Sequence, residues 1–181
     1  MVAAATVFGI LGICVALILF LSPIPTIRRV LRDRTSSSFS QLPFVMQIVE
    51  SSYWSLWAIA VGERLEMLVN NIIGITFMAT YVIIFSCYVP QEKKRTTTLH
   101  LLVSVILVAS GFIILFAFEK ETASLILSVA AVVLNIVKYA SPLSVARMVI
   151  QTQSVEFLPL PLTTACLLCS IFWVRPPSPL A

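Results

Sequence analysis

The sequence predicts an all-α membrane protein of about six transmembrane helices. The chain has 181 residues, of which 59% are hydrophobic and 11% charged, and its mean hydropathy is +1.02. Soluble domains carry about 25% charged residues, so this composition excludes a soluble class. The apolar residues also fall into runs of about 20, the length that crosses a bilayer.

Short connections separate the predicted spans. The first, roughly 5–27, precedes any charged residue, whereas a cleaved signal peptide begins with a basic segment. We therefore expect it to remain as a helix. The later spans are placed at about 42–61, 67–89, 99–118, 122–145 and from near 157 to Arg175.

Basic residues concentrate on one side of this predicted bundle. The connections after the first, third and fifth spans hold Arg28, Arg29, Arg32, Arg34, Lys93, Lys94, Arg95 and Arg147. The basic residues of the opposite side are fewer and mostly have acidic neighbours. Because cytoplasmic loops are enriched in Lys and Arg, we expect an extracellular N-terminus.

Cofactor chemistry has little support in the sequence. Cys166 and Cys169 form a C-x-x-C motif, but no second ligand pair or nearby histidine accompanies them. Cysteines in apolar runs usually pack as small hydrophobic residues. The few glycines are scattered, so no phosphate-binding loop is present. We expect no enzyme activity, no metal, nucleotide or redox cofactor, and no nucleic-acid partner.

Two parts of the chain resemble each other at a constant spacing. The segment S-P-I-P-T-I-R-R-V-L around Pro23 matches S-P-L-S-V-A-R-M-V-I around Pro142, and these prolines are 119 positions apart. Trp54 and Trp173 have the same separation. Both copies begin on one side of the membrane, so the repeat is parallel. Parallel repeats occur in transporters whose substrate site lies between the two halves.

The repeat divides the chain into three predicted parts. Residues 1–90 form a first three-helix repeat, 91–120 a linker helix, and 121–181 a second repeat. The second repeat contains only two predicted spans, so it is expected to be incomplete.

These motifs resemble the SWEET family of sugar transporters. Matching strings cover about 5–174 and include F-L-S-P-I-P-T, F-S-Q-L-P-F, N-N-I-I-G, Y-A-S-P-L-S-V and S-V-E-F-L-P. The resemblance implies seven helices, with two three-helix bundles joined by the fourth. It also implies movement of mono- or disaccharides down their gradient, in either direction, by alternating access. The expected location is the plasma membrane, with endomembranes or the vacuole left open.

The resemblance also implies a sugar-binding set. Trp54, Trp173 and Asn71 fall on sugar-contacting positions. An indole plane suits the C–H face of a sugar, and an amide suits its hydroxyls. The alternatives are an interfacial position for the tryptophans and a helix-packing hydrogen bond for Asn71.

Four prolines fall on hinge positions of the family. They are Pro23, Pro43, Pro142 and Pro159. Because proline removes a backbone hydrogen bond and kinks a helix, we expect these kinks to permit rocking around a fixed site. Prolines without a hinge role are also common in membrane helices.

Two charged residues depart from the family pattern at positions that map to the cavity. Glu50 lies one turn before Trp54, and Lys138 lies one turn before Pro142. A lone charge at mid-membrane costs about 2.5–3.5 kcal/mol, so we expect Glu50 and Lys138 to pair across the cavity. Asn135, one turn before Lys138, is expected to line it too. The open alternatives are snorkelling to an interface and proton coupling through Glu50.

The C-terminal residues also depart from the family. After Trp173 the chain reads V-R-P-P-S-P-L-A, where the family continues to a seventh helix. An alternative function follows, namely a non-transporting subunit that binds full-length relatives and modulates them. A homo- or hetero-oligomer with other family members would then supply the missing side of the cavity.

Overall fold

Helices account for nearly all of the chain that the structure describes. In order, α1 spans Val2–Leu21, α2 Ile24–Asp33, α3 Leu42–Val61, α4 Leu65–Cys87, α5 Gln91–Ala117 and α6 Lys120–Thr152. This computed structural model describes residues 2–37, 39–62, 64–152, 164, 167 and 168, with side chains between 9 and 138 and at the last three. The span predicted from near 157 lies outside the described residues.

Four stretches are long and apolar enough to cross a membrane. They are Gly9–Asp33, Leu65–Cys87, Gln91–Ala117 and Lys120–Lys138. The helix α3 falls outside this set because polar residues interrupt its apolar sequence. It packs against α4, α5 and α6, so protein rather than lipid surrounds much of it. The predicted all-α membrane class is confirmed.

The helices extend further than the apolar runs that predicted them. The first predicted span ends near residue 27, but the chain continues through Pro23 into the helix α2. The loop positions predicted for several basic residues are therefore wrong, because α2, α5 and α6 contain Arg28, Arg29, Arg32, Lys93, Lys94, Arg95 and Arg147. Charges end an apolar run without ending a helix, because Lys and Arg are good helix formers.

The helices α1, α2 and α4 pack around a group that we call the aromatic cluster. Its buried members are Ala16, Phe20, Ile27, Val30, Met78, Tyr81 and Phe85. Phe20 approaches α4 at Gly74, where an added Cβ would lie 2.8 Å from the ring Cζ. A glycine is thus needed for this close contact between α1 and α4. Phe44 of α3 also packs on this cluster.

The opposite side of α3 contributes to a second group, the α3–α6 cluster. Its buried members are Val49, Tyr53, Leu56, Ala60, Leu127 and Ala131. The helix α5 covers part of it, and the Tyr53 hydroxyl lies 3.1 Å from the Leu107 carbonyl oxygen and 2.9 Å from Ser110 Oγ. The helix α3 therefore connects the two clusters and has the central position in the bundle.

Candidate functional site

A buried ion pair joins α3 to α6. Lys138 Nζ donates a hydrogen bond to Glu50 Oε2, and it donates another to Gln47 Oε1 at 3.0 Å. The side chains of Glu50 and Lys138 are only 7% and 17% exposed. The pairing predicted from the sequence is confirmed. Snorkelling would leave at least one charged group exposed, so that alternative is wrong.

Gln47 is a member of this network that the sequence interpretation missed. Its Oε1 accepts from Lys138, and its Nε2 donates to Ser51 Oγ at 3.1 Å. The sequence spacing could have revealed Gln47, because residues three and four positions apart lie on one face of a helix. Gln47, Glu50 and Ser51 have that spacing.

Trp54 lies one turn after Glu50 and is half-buried. Its ring meets that of Trp57 edge to face, with centroids 5.7 Å apart and an angle of 86° between the planes. Both indoles pack against the α3–α6 cluster. The structure thus brings an aromatic plane and a polar, charge-paired network onto the same helix at the contact of α3 with α6.

The two asparagines of the predicted site have different surroundings. Asn71 is buried on α4, and its Nδ2 donates to the Met67 carbonyl oxygen of the same helix at 2.8 Å. Within the described part of the chain, no hydrogen bond links Asn71 to Glu50 or Trp54. Asn135 has a buried Oδ1 without a hydrogen-bond partner among the described residues. Asn135 precedes Lys138 by one turn on α6, and its place in the lining of a sugar cavity stays a prediction.

The break between α1 and α2 occurs at Pro23, where α1 ends at Leu21 and α2 begins at Ile24. Proline has no N–H to donate to the Leu19 carbonyl oxygen, which accepts instead from Ser22 N at 3.2 Å and Ser22 Oγ at 2.8 Å. The Tyr81 hydroxyl donates to the neighbouring Phe20 carbonyl oxygen at 2.9 Å. Side-chain donors thus satisfy carbonyls at the break, as membrane burial requires.

The other three hinge prolines give no second break of this kind in the described chain. Pro43 is the second residue of α3, where a helix has no intrahelical bond to lose. The predicted kink within that helix is therefore wrong. Pro142 lies inside α6, whose backbone is helical before and after it. Pro159 and Trp173 lie outside the described residues.

Two cavities open near the basic end of the bundle, the end where α2 finishes and α5 begins. The larger, of about 260 Å³, includes Ser36, Gln41, Lys93, Thr97 and His100 in its lining. The smaller, of about 120 Å³, lies between α3 and α5. Neither is lined by Glu50, Trp54 or Lys138. Within the described residues, no group of three or more His, Cys, Asp or Glu side chains is placed to hold a metal.

A family model described as "Sugar efflux transporter for intercellular exchange" matches residues 6–94 and 125–175. These two ranges make up more than half of the chain. The chain belongs to the SWEET family of sugar transporters. SWEET proteins are transporters and not enzymes, so this chain is a multi-pass membrane protein of a transporter family.

Individual SWEET proteins align over most of its length. The bidirectional sugar transporter SWEET1b of Oryza sativa subsp. indica is 35% identical over 175 residues, covering 94% of this chain and 67% of that protein. SWEET1 of Arabidopsis thaliana is 32% identical over 174 residues, covering 94% and 70%. A eukaryotic SWEET transporter solved at 3.7 Å gives a TM-score of 0.87 at 26% identity, covering 94% of this chain and 81% of that one.

Proposed function

We propose that this chain carries neutral mono- or disaccharides across the plasma membrane, in both directions and down their gradients. The relatives named above are bidirectional sugar transporters. The observation that carries the proposal is the half-buried Trp54 beside the network of Gln47, Glu50 and Lys138. An indole plane can stack on the C–H face of a sugar, while amide and charged groups bind its hydroxyls.

The proposed mechanism is alternating access between two repeats. In the proposed division, 1–90 and 121–181 are the two repeats and 91–120 is the linker, so α3 belongs to the first repeat and α6 to the second. A sugar held at the contact of α3 with α6 then lies between the parts that move. The break at Pro23 supports a hinge. The carbonyl oxygens of Leu19 and Phe20 accept hydrogen bonds from side chains there, so they do not require a continuous helix. Asn71 and Trp173 are the proposed further sugar contacts.

The expected orientation places the basic end in the cytosol and the N-terminus outside. Contacts between the α2–α3 connection and the start of α5 support a single basic end, because Lys93 Nζ donates to the Ser37 carbonyl oxygen. Gln41 Nε2 also donates to the Thr97 carbonyl oxygen, at 3.2 Å. The distribution of Lys and Arg then gives the orientation. A single cysteine introduced at Lys94 in a background without native cysteines should resist impermeant thiol reagents until the cells are permeabilised.

Sugar flux by this 181-residue chain tests the proposal. The chain is expressed alone in a transport-deficient cell, and uptake of labelled glucose and sucrose is measured against the amount of protein in the membrane. Trp54→Ala should abolish uptake. Phe116→Ala is the matched control, because Phe116 is an aromatic residue of α5 that is 82% exposed and lies away from the network. Its uptake should equal that of the unmodified chain.

The possible results of this uptake experiment distinguish between the candidate functions. Uptake that Trp54→Ala removes and Phe116→Ala leaves unchanged supports a sugar site at the contact of α3 with α6. An absence of uptake, combined with co-purification with a full-length SWEET protein and a change in its flux, supports the modulating-subunit alternative. Equal uptake by both variants would show that the sugar passes elsewhere.

A further inference from the structure

The charges of Glu50 and Lys138 neutralise each other at the contact of α3 with α6. Both side chains are largely buried, and Gln47 provides a second acceptor for the lysine. A buried charge is stable only when it is paired, because removing one partner leaves the other without water or counter-ion. The two charges therefore depend on each other, and the described members of the network, Gln47, Glu50 and Lys138, carry no net charge together.

A charged solute would disturb this balance. Trp54 lies four residues, about 6 Å along the helix axis, from Glu50. A sugar stacked on that indole reaches the network with its hydroxyls, which both donate to a carboxylate and accept from an ammonium group. A cationic sugar would compete with Lys138 for Glu50, and an anionic sugar would compete with Glu50 for Lys138. In either case the pairing of Glu50 with Lys138 would be weakened.

We propose that the Glu50–Lys138 pair determines charge selectivity, so that the intact pair admits neutral sugars and excludes charged ones. This inference rests on the proposed function, because it assigns a specificity role within the same site. Removing one partner should reverse the selectivity. Lys138→Met removes one positive charge from the site and should favour an amino sugar, and Glu50→Gln removes one negative charge and should favour a sugar acid.

The experiment compares three hexose derivatives of similar size in proteoliposomes whose membrane potential is clamped at zero. They are glucose, glucosamine as a cation and glucuronate as an anion. The unmodified chain should favour glucose over both charged sugars. Lys138→Met should raise the glucosamine-to-glucose flux ratio, and Glu50→Gln the glucuronate-to-glucose ratio, each on the order of 10-fold, the gain expected from one charge-assisted hydrogen bond.

The matched controls are Glu92→Gln and Lys94→Met, the same substitutions at exposed positions in the first turn of α5. They should leave every flux ratio unchanged. A purely structural role for the ion pair predicts less folded protein in the single variants but no charge-dependent change in selectivity. Glucose flux by the unmodified chain, together with unchanged ratios in both single variants, would therefore overturn this inference and leave the proposed function standing.

A measurement on the unmodified chain covers the case in which the single variants do not accumulate. Glucosamine and glucuronate should each fail to compete with labelled glucose, whereas N-acetylglucosamine, a neutral derivative, should compete. Equal competition by all three would overturn the inference. If the unmodified chain neither moves nor binds any sugar, the proposed function fails and this inference fails with it.

Discussion

The two sides of α3 are packed in contrasting ways. Toward α1, α2 and α4 it meets the aromatic cluster, where rings such as Phe44 and Tyr81 lie 5.7 Å apart and a glycine admits Phe20. Toward α6 it meets Leu127, Ala131 and the buried ion pair. The first contact is made mainly of aromatic rings, and the second combines apolar residues of several sizes with two opposite charges.

This difference bears on which parts of the molecule can move. Interlocked aromatic rings pack well in only one arrangement, because a close-packed core does not deform gradually. The contact of α3 with α6 includes an ion pair, whose two groups can exchange their mutual hydrogen bond for bonds to the hydroxyls of a solute. We therefore infer that the aromatic side holds the first helices together as a unit, while the contact of α3 with α6 is the one that opens during transport.

The largest effect should come from breaking the ion pair on one side only. Lys138→Met or Glu50→Gln alone should destabilise the folded protein by about 3–5 kcal/mol, because each removes one partner of a buried ion pair. The double variant should recover most of that loss. The amount of monodisperse protein after stepwise heating in detergent measures this. Equal losses that add in the double variant would show that the two residues act independently.

Losses of stability of intermediate size should come from overpacking, which compares how rigid the two sides of α3 are. Gly74→Ala places a methyl group 2.8 Å from the ring of Phe20, a stiff side chain, and should cost about 1–3 kcal/mol. Gly111→Ala meets Leu56 Cδ1 at the same distance. That atom ends a flexible side chain, so the cost should stay below about 1 kcal/mol. The same heating assay compares them, and Gly74→Ala with Phe20→Leu should restore stability. A larger loss at Gly111 would contradict the assignment of the rigid side.

The smallest effects should come from two tyrosine hydroxyls, one on each side. Tyr81→Phe removes the hydrogen bond to the Phe20 carbonyl oxygen, and Tyr53→Phe removes those to α5. Each should cost about 0.6 kcal/mol, the average for such bonds in membranes. Their effects on flux should differ, because only the Tyr81 bond supports the break at Pro23. Unchanged transport in Tyr81→Phe would argue against a hinge there.

Much of the fold was predictable from the sequence. Apolar runs of bilayer length located the membrane-crossing segments, because lipid permits few alternatives to a helix. The ends of the helices were less predictable. Arg28 and Lys93 interrupt apolar runs yet lie within helices, since a helix can extend into water once its apolar part has crossed the bilayer.

The site was predictable only in part. The pairing of Glu50 with Lys138 followed from the cost of an isolated charge in the membrane, even though the two are far apart in sequence. The role of Gln47 did not follow, because a neutral amide carries no comparable penalty and gives no reason to seek a partner. Pro43 misled the prediction of a kink, because the effect of a proline depends on how far it lies from the helix start.

The separation of the two charges along the chain also has a consequence for synthesis. Glu50 and Lys138 are 88 positions apart. At a translation rate of about 5–20 residues per second, Glu50 emerges roughly 4 to 18 s before Lys138. During that interval α3 is a polar segment with an unpaired carboxylate at the membrane. We expect the insertion machinery to retain α3, and to release it into lipid only when α6 arrives with its counter-charge.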